Sequence, residues 1–316
     1  MKNFRIISLL PASTEMVYGL GLGKCLVGVS DDSDFPKEVQ KLPQVVTTTL
    51  PPGLSSKEID DRVRDAKHRG VGIFHIDQKL LKKLSPNLIL SQELCEVCAI
   101  GTSEIKRAAR VLKNNVRTIS LEPESIADIM DNIILIGSLT GREKEARRLV
   151  GKLQDRIRFI TLTLNPSPIE GEGDMRKRIL IIEWLDPIMI AGHWVPEMVE
   201  MAGGKNLLTK PHEMSRRIEW KDVLKADPDV LIIAPCGFDI SRAKKEMIGI
   251  KRRTGFRGIR AVRENNCYFV DANAYLTRPG PRIVDGVEIL AEIINPEIFQ
   301  KLHSASDWQK TSVINP

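Results

Sequence analysis

The stretch from residue 125 to residue 163 constrains the fold of this chain more than any other part of it. It contains no proline, and its apolar residues recur at helical spacing, as Ile126, Ile129 and Ile133 do. An unbroken helix of about 38 residues would span roughly 57 Å. The segment therefore predicts one long, rigid helix, in which Gly137 and the Thr140-Gly141 pair are the points where a kink or break is expected.

Strand and helix patterns alternate on both sides of this helix, which predicts an α/β architecture. We expect an N-terminal α/β lobe at residues 1–122, a connecting backbone helix at 123–164 and a C-terminal α/β lobe at 165–316. Segments 84–88 and 226–230 each pass from a helix end through a proline into an apolar strand, which suggests that the two lobes are pseudo-equivalent. Ser13 is the predicted N-cap of the first helix. Strands are predicted at 5–10, 26–29, 87–90, 117–121, 178–184, 230–234 and 267–270, and helices at 14–19, 80–84, 104–113, 195–202, 220–225, 241–248 and 282–293.

Composition excludes several classes of protein. The chain has 316 residues, of which 42% are hydrophobic and 28% charged, as in soluble globular proteins, and its apolar runs are too short to span a bilayer. Much of the net charge of +6 lies at 244–263. Aromatic side chains do not alternate with these charges, so a solvated helix and loop is favoured over a nucleic-acid surface.

The N-terminus and the cysteine content bear on location. The first residues lack the apolar stretch and cleavage site of a signal peptide. Five cysteines in 316 residues do not form a disulfide framework. These features predict a cytoplasmic monomer with reduced thiols.

Two cysteines, Cys95 and Cys98, follow the predicted strand at 87–90. Open α/β sheets bind their ligands at the carboxyl ends of their strands, so the pair is a candidate site. Two thiolates supply half of a tetrahedral zinc site. The alternatives are redox chemistry and incidental cysteines at a helix start, although the flanking residues are unlike those of thioredoxin-like motifs.

Further candidates follow the strands of the C-terminal half. His193, in a Gly-His-Trp loop, is either a metal ligand through a neutral ring nitrogen or a hydrogen-bonded loop histidine. Cys236 is either a ligand or a packing residue. Aromatic side chains suit the walls of a pocket for a large flat molecule, and an arginine suits its acidic or amide groups. The candidates for these roles are Phe35, Trp184, Trp194, Tyr275 and Arg278.

Three segments carry a resemblance to a known family. Ile-Ile-Ser-Leu-Leu-Pro-Ala-Ser-Thr-Glu at 6–15, Val-Gly-Val-Ser-Asp-Asp-Ser-Asp-Phe-Pro at 27–36 and Pro-Arg-Ile at 281–283 resemble periplasmic cobalamin-binding proteins. These belong to the helical-backbone metal-receptor superfamily. The resemblance covers about residues 4–295. It implies a class III periplasmic-binding-protein-like fold, with two Rossmann-like α/β lobes joined by one long backbone helix and a ligand cleft between them.

The resemblance also implies a function. We expect non-catalytic binding of a metal-containing ligand in the inter-lobe cleft, for uptake or intracellular handling. The ligand would be cobalamin or another corrinoid, haem, a ferric chelate, or a zinc or iron ion. The alternative is a metallochaperone or enzyme with a zinc-like centre built from Cys95, Cys98, His193 and Cys236.

Docking on an ABC permease is put in doubt by the same resemblance. Exported relatives dock through one acidic residue on each lobe. Glu104 lies at the first of these positions, but Thr277 occupies the second. In addition, segments 94–98, 191–198 and 278–282 resemble a branch of the family whose members frequently lack export signals.

Overall fold

The computed structural model of the chain describes residues 4–92, 116–164 and 175–311. The chain divides into two compact units, each with a sheet of its own. The first unit comprises Met1–Leu54, Glu58–Pro123 and Ala127–Lys152. The second comprises Ser55–Lys57, Glu124–Ile126 and Leu153–Pro316. The domain boundaries at 122 and 164 stay a prediction.

The sheet of the first unit has six strands in the order β4-β3-β2-β1-β5-β6. Neighbouring strands are parallel, except that β4 is antiparallel to β3. β1 and β5, which pair with each other inside the sheet, are buried along their whole length, as expected for a parallel sheet covered on both faces. The strands are β1 (Ile6–Ser8), β2 (Leu26–Ser30), β3 (Gln44–Thr48), β4 (Phe74–Ile76), β5 (Leu88–Ser91) and β6 (Arg117–Ser120).

The first helix begins earlier than the sequence pattern indicates. α1 spans Pro11–Gly19, with Leu10 at its N-cap, so the prediction that Ser13 caps it is wrong. Proline suits the first helical position, because it has no N–H to satisfy and its φ is already helical. Ser13 is buried inside the helix, and its hydroxyl bonds that of Ser8 at 2.5 Å. The next helices are α2 (Ser56–His68) and α3 (Gln78–Leu84). Asp77 is the N-cap of α3, and its carboxylate accepts hydrogen bonds from the N–H groups of Lys79 and Leu80.

Residues 125–163 form two helices rather than the single one predicted. α4 spans Ile126–Thr140 and α5 spans Glu143–Leu164. Between them Gly141 adopts a left-handed φ of 71°, and Arg142 N–H donates to the Gly137 carbonyl at 2.7 Å. A Cβ atom on Gly137 would lie 2.5 Å from Ala146 Cβ, so the two helices meet closely at this turn. Glycine at both positions therefore permits a tight turn that a continuous helix would not need.

The sheet of the second unit joins parallel and antiparallel strands. Its strand order is β10-β8-β7-β11-β12-β13, and β9 pairs with β7 in parallel. The three strands at the centre, β7, β11 and β12, are parallel to one another. The remaining pairings, β10 with β8, β8 with β7 and β13 with β12, are antiparallel. The strands are β7 (Arg178–Leu185), β8 (Ile188–Ile190), β9 (Lys205–Asn206), β10 (Arg216–Arg217), β11 (Val230–Ile233), β12 (Cys267–Val270) and β13 (Trp308–Lys310).

Helices follow most strands of this unit. Asp239 caps α8 and Asp271 caps α10, each through a carboxylate that accepts a backbone N–H. Within the part of the chain that the structure describes, no helix has the length and apolar character needed to cross a bilayer. The helices are α6 (Val195–Met201), α7 (Trp220–Ala226), α8 (Ile240–Lys251), α9 (Arg260–Arg263), α10 (Ala272–Tyr275) and α11 (Ile283–Ile294).

Candidate functional site

Several predicted site residues of the second unit lie where its central parallel strands end. Trp184 is the penultimate residue of β7, Cys236 follows β11, and the segment that carries Tyr275 and Arg278 follows β12. The Cys236 N–H donates to the Glu183 carbonyl at 2.9 Å, which joins the first two strand ends. Carboxyl ends of parallel strands share one edge of a sheet, and this is the edge where open α/β sheets bind ligands.

An aromatic and cationic group lies beside Cys236. Phe238 is fully buried, and the Trp184 ring meets it edge-on, with 5.4 Å between ring centroids. The Arg242 guanidinium carbon lies 3.6 Å from the Phe238 ring centroid, a cation–π contact. Desolvation lowers the pKa of Arg242, and the nearby Glu246 carboxylate opposes that shift. The sequence analysis missed Phe238 and Arg242, although their place directly after a buried strand was a signal.

His193 occupies a strained loop. Its φ is +54°, in the left-handed region that non-glycine residues seldom adopt. Among the described residues six non-glycine residues have positive φ, and three of them, His193, Leu208 and His212, lie in this loop and the segment bonded to it. Strained backbone persists only where its surroundings hold it in place, and it concentrates at functional sites.

The His193 imidazole is half-buried and faces few polar groups. Desolvation lowers its pKa, while the negative charge of Glu124 acts in the opposite direction. The ring centroid lies 5.7 Å from that of Trp194, and the rings are tilted by 34°. Within the described ranges, no hydrogen bond joins either ring nitrogen to another residue. The imidazole is therefore neutral at pH 7, and its nitrogens remain available to a ligand.

Trp194 ties the His193 loop to the chain before Arg278. Its side chain is only 5% exposed, and its indole N–H donates to the Leu276 carbonyl at 2.8 Å. Arg278 is 7% exposed. The structure thus brings His193, Trp194 and the segment at 276–278 together, and the aromatic-wall role of Trp194 stays a prediction.

Tyr275 contacts a different part of the unit. Its hydroxyl donates to Asp307 Oδ1 at 2.7 Å, and burial together with this bond raises the pKa of the phenol. Phe35, in the first unit, is 45% exposed.

Cys95 and Cys98, two of the predicted metal ligands, lie outside the described residues. Within the described residues His193 and Cys236 belong to no group of three metal-ligand atoms within 4.8 Å of one another, so the four-residue metal set stays a prediction.

Two carboxylates and a histidine of the second unit cluster as metal ligands would, but an arginine compensates the negative charge of the carboxylates. Ligand atoms of Asp285, Glu288 and His303 lie within 4.8 Å of one another. Arg156 Nη2 bonds both carboxylates, and its Nε donates to Glu288 at 2.8 Å, so the pKa of Arg156 is raised. His303 Nδ1 bonds Glu292 at 2.8 Å. The cluster is thus an ion-pair network in which the guanidinium supplies the positive charge.

Two α/β units, with a strained and neutral histidine beside buried aromatic residues, define a ligand-binding protein. The sequence model of the family described as "Periplasmic binding protein" matches residues 6–274, and the chain belongs to this family. The Bacillus subtilis protein "Uncharacterized ABC transporter substrate-binding lipoprotein YvrC" is 27% identical over 303 residues, which are 94% of this chain and 82% of that protein.

Two further comparisons agree with this assignment. A Vibrio cholerae "Vitamin B12-binding protein" is 23% identical over 285 residues, covering 90% of this chain and 86% of the relative. The crystal structure of a "Periplasmic Heme Binding Protein" from Pseudomonas aeruginosa superposes with a TM-score of 0.72. It is 19% identical and covers 97% of this chain and 99% of that one, so it shows the fold alone.

These findings confirm three predictions and correct one. The two-lobed class III α/β fold is confirmed, as is the prediction of a binding protein rather than an enzyme. The superfamily predicted from the motifs at 6–15, 27–36 and 281–283 is confirmed at the level of the family. The predicted cytoplasmic location is wrong, because the family is that of periplasmic binding proteins and the Bacillus subtilis relative is named as a lipoprotein.

Proposed function

We propose that this chain is the extracytoplasmic substrate-binding component of an ABC importer and that its ligand is a metal tetrapyrrole, either a corrinoid or haem. The metal of that ligand accepts a ring nitrogen of His193. Relatives named as a substrate-binding lipoprotein and as vitamin B12-binding proteins support this class of ligand. The observation that carries the proposal is the half-buried His193 imidazole, whose nitrogens have no hydrogen-bond partner among the described residues.

The chemistry of His193 suits cobalt and iron. Only a neutral imidazole has a lone pair to give to a metal, and desolvation keeps this ring neutral at pH 7 by lowering its pKa. The ring is polar and partly desolvated, so a bound metal would supply a partner that the protein does not. The buried Trp194 ring beside it adds apolar surface of the kind that pockets for flat ligands use.

Other predicted residues keep supporting roles in the proposal. Arg278 suits carboxylate, phosphate or amide groups at the ligand's edge, and Trp184, Tyr275 and Phe35 suit its apolar surface. Cys95, Cys98 and Cys236 are the predicted ligands if the cargo is a bare metal ion instead.

Docking on a permease is part of the proposal, through contacts that differ from the pair of acidic residues. Glu104 lies outside the described residues, and the Thr277 hydroxyl donates to the Ala272 carbonyl at 2.9 Å. A threonine used in this way offers no charge to a partner.

The test is titration of the purified protein with hemin and, separately, with hydroxocobalamin, followed by absorbance spectroscopy. His193→Gly removes the imidazole and is compatible with the left-handed backbone. We expect it to weaken binding by about tenfold or more, the order of a lost metal–ligand contact, and added imidazole to restore the wild-type spectrum. Asn265→Gly is the matched control, because Asn265 is exposed, has a left-handed φ of +56° and lies outside the His193 loop and the segment bonded to it.

Two results would overturn the proposal. One is full affinity and an unchanged spectrum for both probes in His193→Gly. The other is a colourless wild-type protein that binds neither probe and holds stoichiometric zinc lost in Cys95→Ser with Cys98→Ser. That second result would favour the metal-ion alternative.

A further inference from the structure

We propose that residues 206–216 form a clamp that fixes the direction in which His193 points, with Gly192 and Ser215 as its positioning residues. This inference rests on the proposed function, because it concerns His193 as the ligand of the metal. It assigns a role to a segment that contains none of the predicted site residues.

The clamp holds three successive residues. Thr209 Oγ1 donates to the Ala191 carbonyl at 2.6 Å, and the Gly192 N–H donates to Ser215 Oγ at 3.1 Å. His193 is held on both sides. Its N–H donates to the Glu213 carbonyl at 2.6 Å, and its own carbonyl accepts the His212 N–H at 3.1 Å. The backbone polar groups of His193 are therefore both used by the clamp.

Gly192 is required by the closeness of this approach. A Cβ atom at this position would lie 2.3 Å from Ser215 N, 2.4 Å from the Glu213 carbonyl oxygen and 2.5 Å from the Met214 carbonyl carbon. Real Cβ atoms are not found that close to backbone atoms, so a side chain would push the two segments apart. The glycine of the Ala-Gly-His-Trp sequence thus permits the bonds that hold His193.

The clamp is braced within itself and anchored at both ends. Asn206 Nδ2 donates to Thr209 O at 2.8 Å and to Thr209 Oγ1 at 2.9 Å, and Arg216 Nη2 donates to the Leu208 carbonyl at 2.6 Å. Asn206 lies in β9, which pairs with β7, and Arg216 lies in β10, which pairs with β8. A loop closed by two paired strands has little freedom to move.

Fixing the histidine backbone has a consequence for metal binding. A left-handed φ sets the Cα–Cβ direction, and four hydrogen bonds prevent the loop from relaxing to an easier conformation. Outer residues that orient a ligating histidine are known to change metal affinity by about 10- to 100-fold. Loosening the clamp should therefore leave the imidazole present without fixing its orientation toward the metal. The complex should then be a mixture of molecules in which His193 binds the metal and molecules in which it does not.

The experiment compares two clamp variants with matched controls. Ser215→Ala removes the acceptor for the Gly192 N–H, and Ser241→Ala removes an exposed serine hydroxyl elsewhere. Gly192→Ala introduces the clash, and Gly249→Ala adds a methyl group to a helical site with no atom within 4 Å. Each is titrated with hemin and with hydroxocobalamin. The readouts are the absorbance spectrum, the rate of ligand loss and the thermal midpoint of the apo-protein.

We expect Ser215→Ala to lose ligand about three- to tenfold faster and to show a mixed-coordination spectrum, with a thermal midpoint lowered by only a few degrees because the Gly192 N–H loses its acceptor. Gly192→Ala should show a larger effect in the same direction, and added imidazole should restore the wild-type spectrum in both. Both controls should match the wild type in spectrum and in rate of ligand loss, and Ser241→Ala should also match it in thermal midpoint.

The possible failures are distinguishable. If His193→Gly alters the spectrum while both clamp variants keep wild-type spectra and rates, the clamp is wrong and the proposed function stands. If His193→Gly has no effect, or neither probe binds the wild type, both proposals are wrong. A fall in thermal midpoint with no spectral change in Ser215→Ala assigns the clamp to stability alone and overturns the inference.

Discussion

The indole nitrogen of Trp194 and the carbonyl oxygen of Leu276 share a hydrogen bond of 2.8 Å, although the two residues are 82 positions apart in the chain. The bond is buried, and it joins the loop that carries His193 to the segment that leads into Arg278. An aromatic residue predicted to face a ligand therefore also serves as a structural tie.

Trp194→Phe should destabilise the second unit. An aromatic ring remains, although it is smaller than the indole, and the Leu276 carbonyl loses its buried donor, which costs about 1–3 kcal/mol. Urea denaturation measures this difference. Trp184→Phe is the control, because Trp184 makes no hydrogen bond through its indole within the described residues. Equal stability in the two variants would show that the bond contributes nothing.

His193 should make stability depend on pH below neutrality. Burial lowers the folded-state pKa below its usual 6.5, so between these two values the unfolded chain binds more protons than the folded one. The free energy of unfolding of the wild type should therefore fall relative to His193→Asn as pH drops below about 6.5 and should be unaffected above it. Asparagine tolerates the left-handed backbone. Denaturation curves at several pH values provide the measurement. Parallel pH profiles for the two proteins would contradict the prediction.

Glu292 should hold the C-terminal strand in place. Its buried carboxylate accepts hydrogen bonds from Leu302 N, His303 Nδ1 and Trp308 Nε1, at 3.0, 2.8 and 2.7 Å. Glu292→Gln replaces one acceptor oxygen by a donor and removes the charge, so we expect a loss of about 2–3 kcal/mol in urea denaturation. The exposed Glu297→Gln provides the control and should be neutral. A neutral Glu292→Gln would mean that the segment at 302–308 packs without this carboxylate.

Gly137 and Gly151 should respond in opposite ways to alanine. A methyl group on Gly137 would meet Ala146 Cβ at 2.5 Å and should destabilise the turn between α4 and α5 by about 1–3 kcal/mol. Gly151 lies within α5 with no atom within 4 Å of the new Cβ, so Gly151→Ala should stabilise by about 0.5–1 kcal/mol. Thermal denaturation of both variants tests the pair. A stabilised Gly137→Ala would show that α4 and α5 do not depend on this close approach.

Part of the fold could be predicted from local sequence patterns. The rest depends on contacts between residues that are distant in sequence, which local patterns do not reveal. β12 at Cys267–Val270 coincides with its prediction, because four consecutive apolar residues between polar flanks leave few alternatives. The turn at Gly141 was only a possible break, because isolated glycines are also found within helices, as Gly151 is. The antiparallel strand β13 was missed because its register is set by β12, which lies far from it in sequence.

The candidate site, like the fold, could be predicted from the sequence only in part. His193 could be selected from its Gly-His-Trp loop, because strand-end position is visible in sequence. Ser215 carries no such signal. Its importance comes from a 3.1 Å bond to a residue 23 positions earlier, which only the folded chain brings close. The location of the protein was mispredicted because the absence of a recognisable signal segment was taken as informative.

The outer strands of both sheets are short, with two residues in β10, three in β4 and β13, and four in β6. Each of these edges offers only a few unpaired backbone N–H and C=O groups to a strand of a second copy of the protein. Long, flat edges act as templates on which further chains add strand by strand. The short edge strands β4, β6, β10 and β13 thus protect the two sheets from growing into larger β-assemblies at high local concentration.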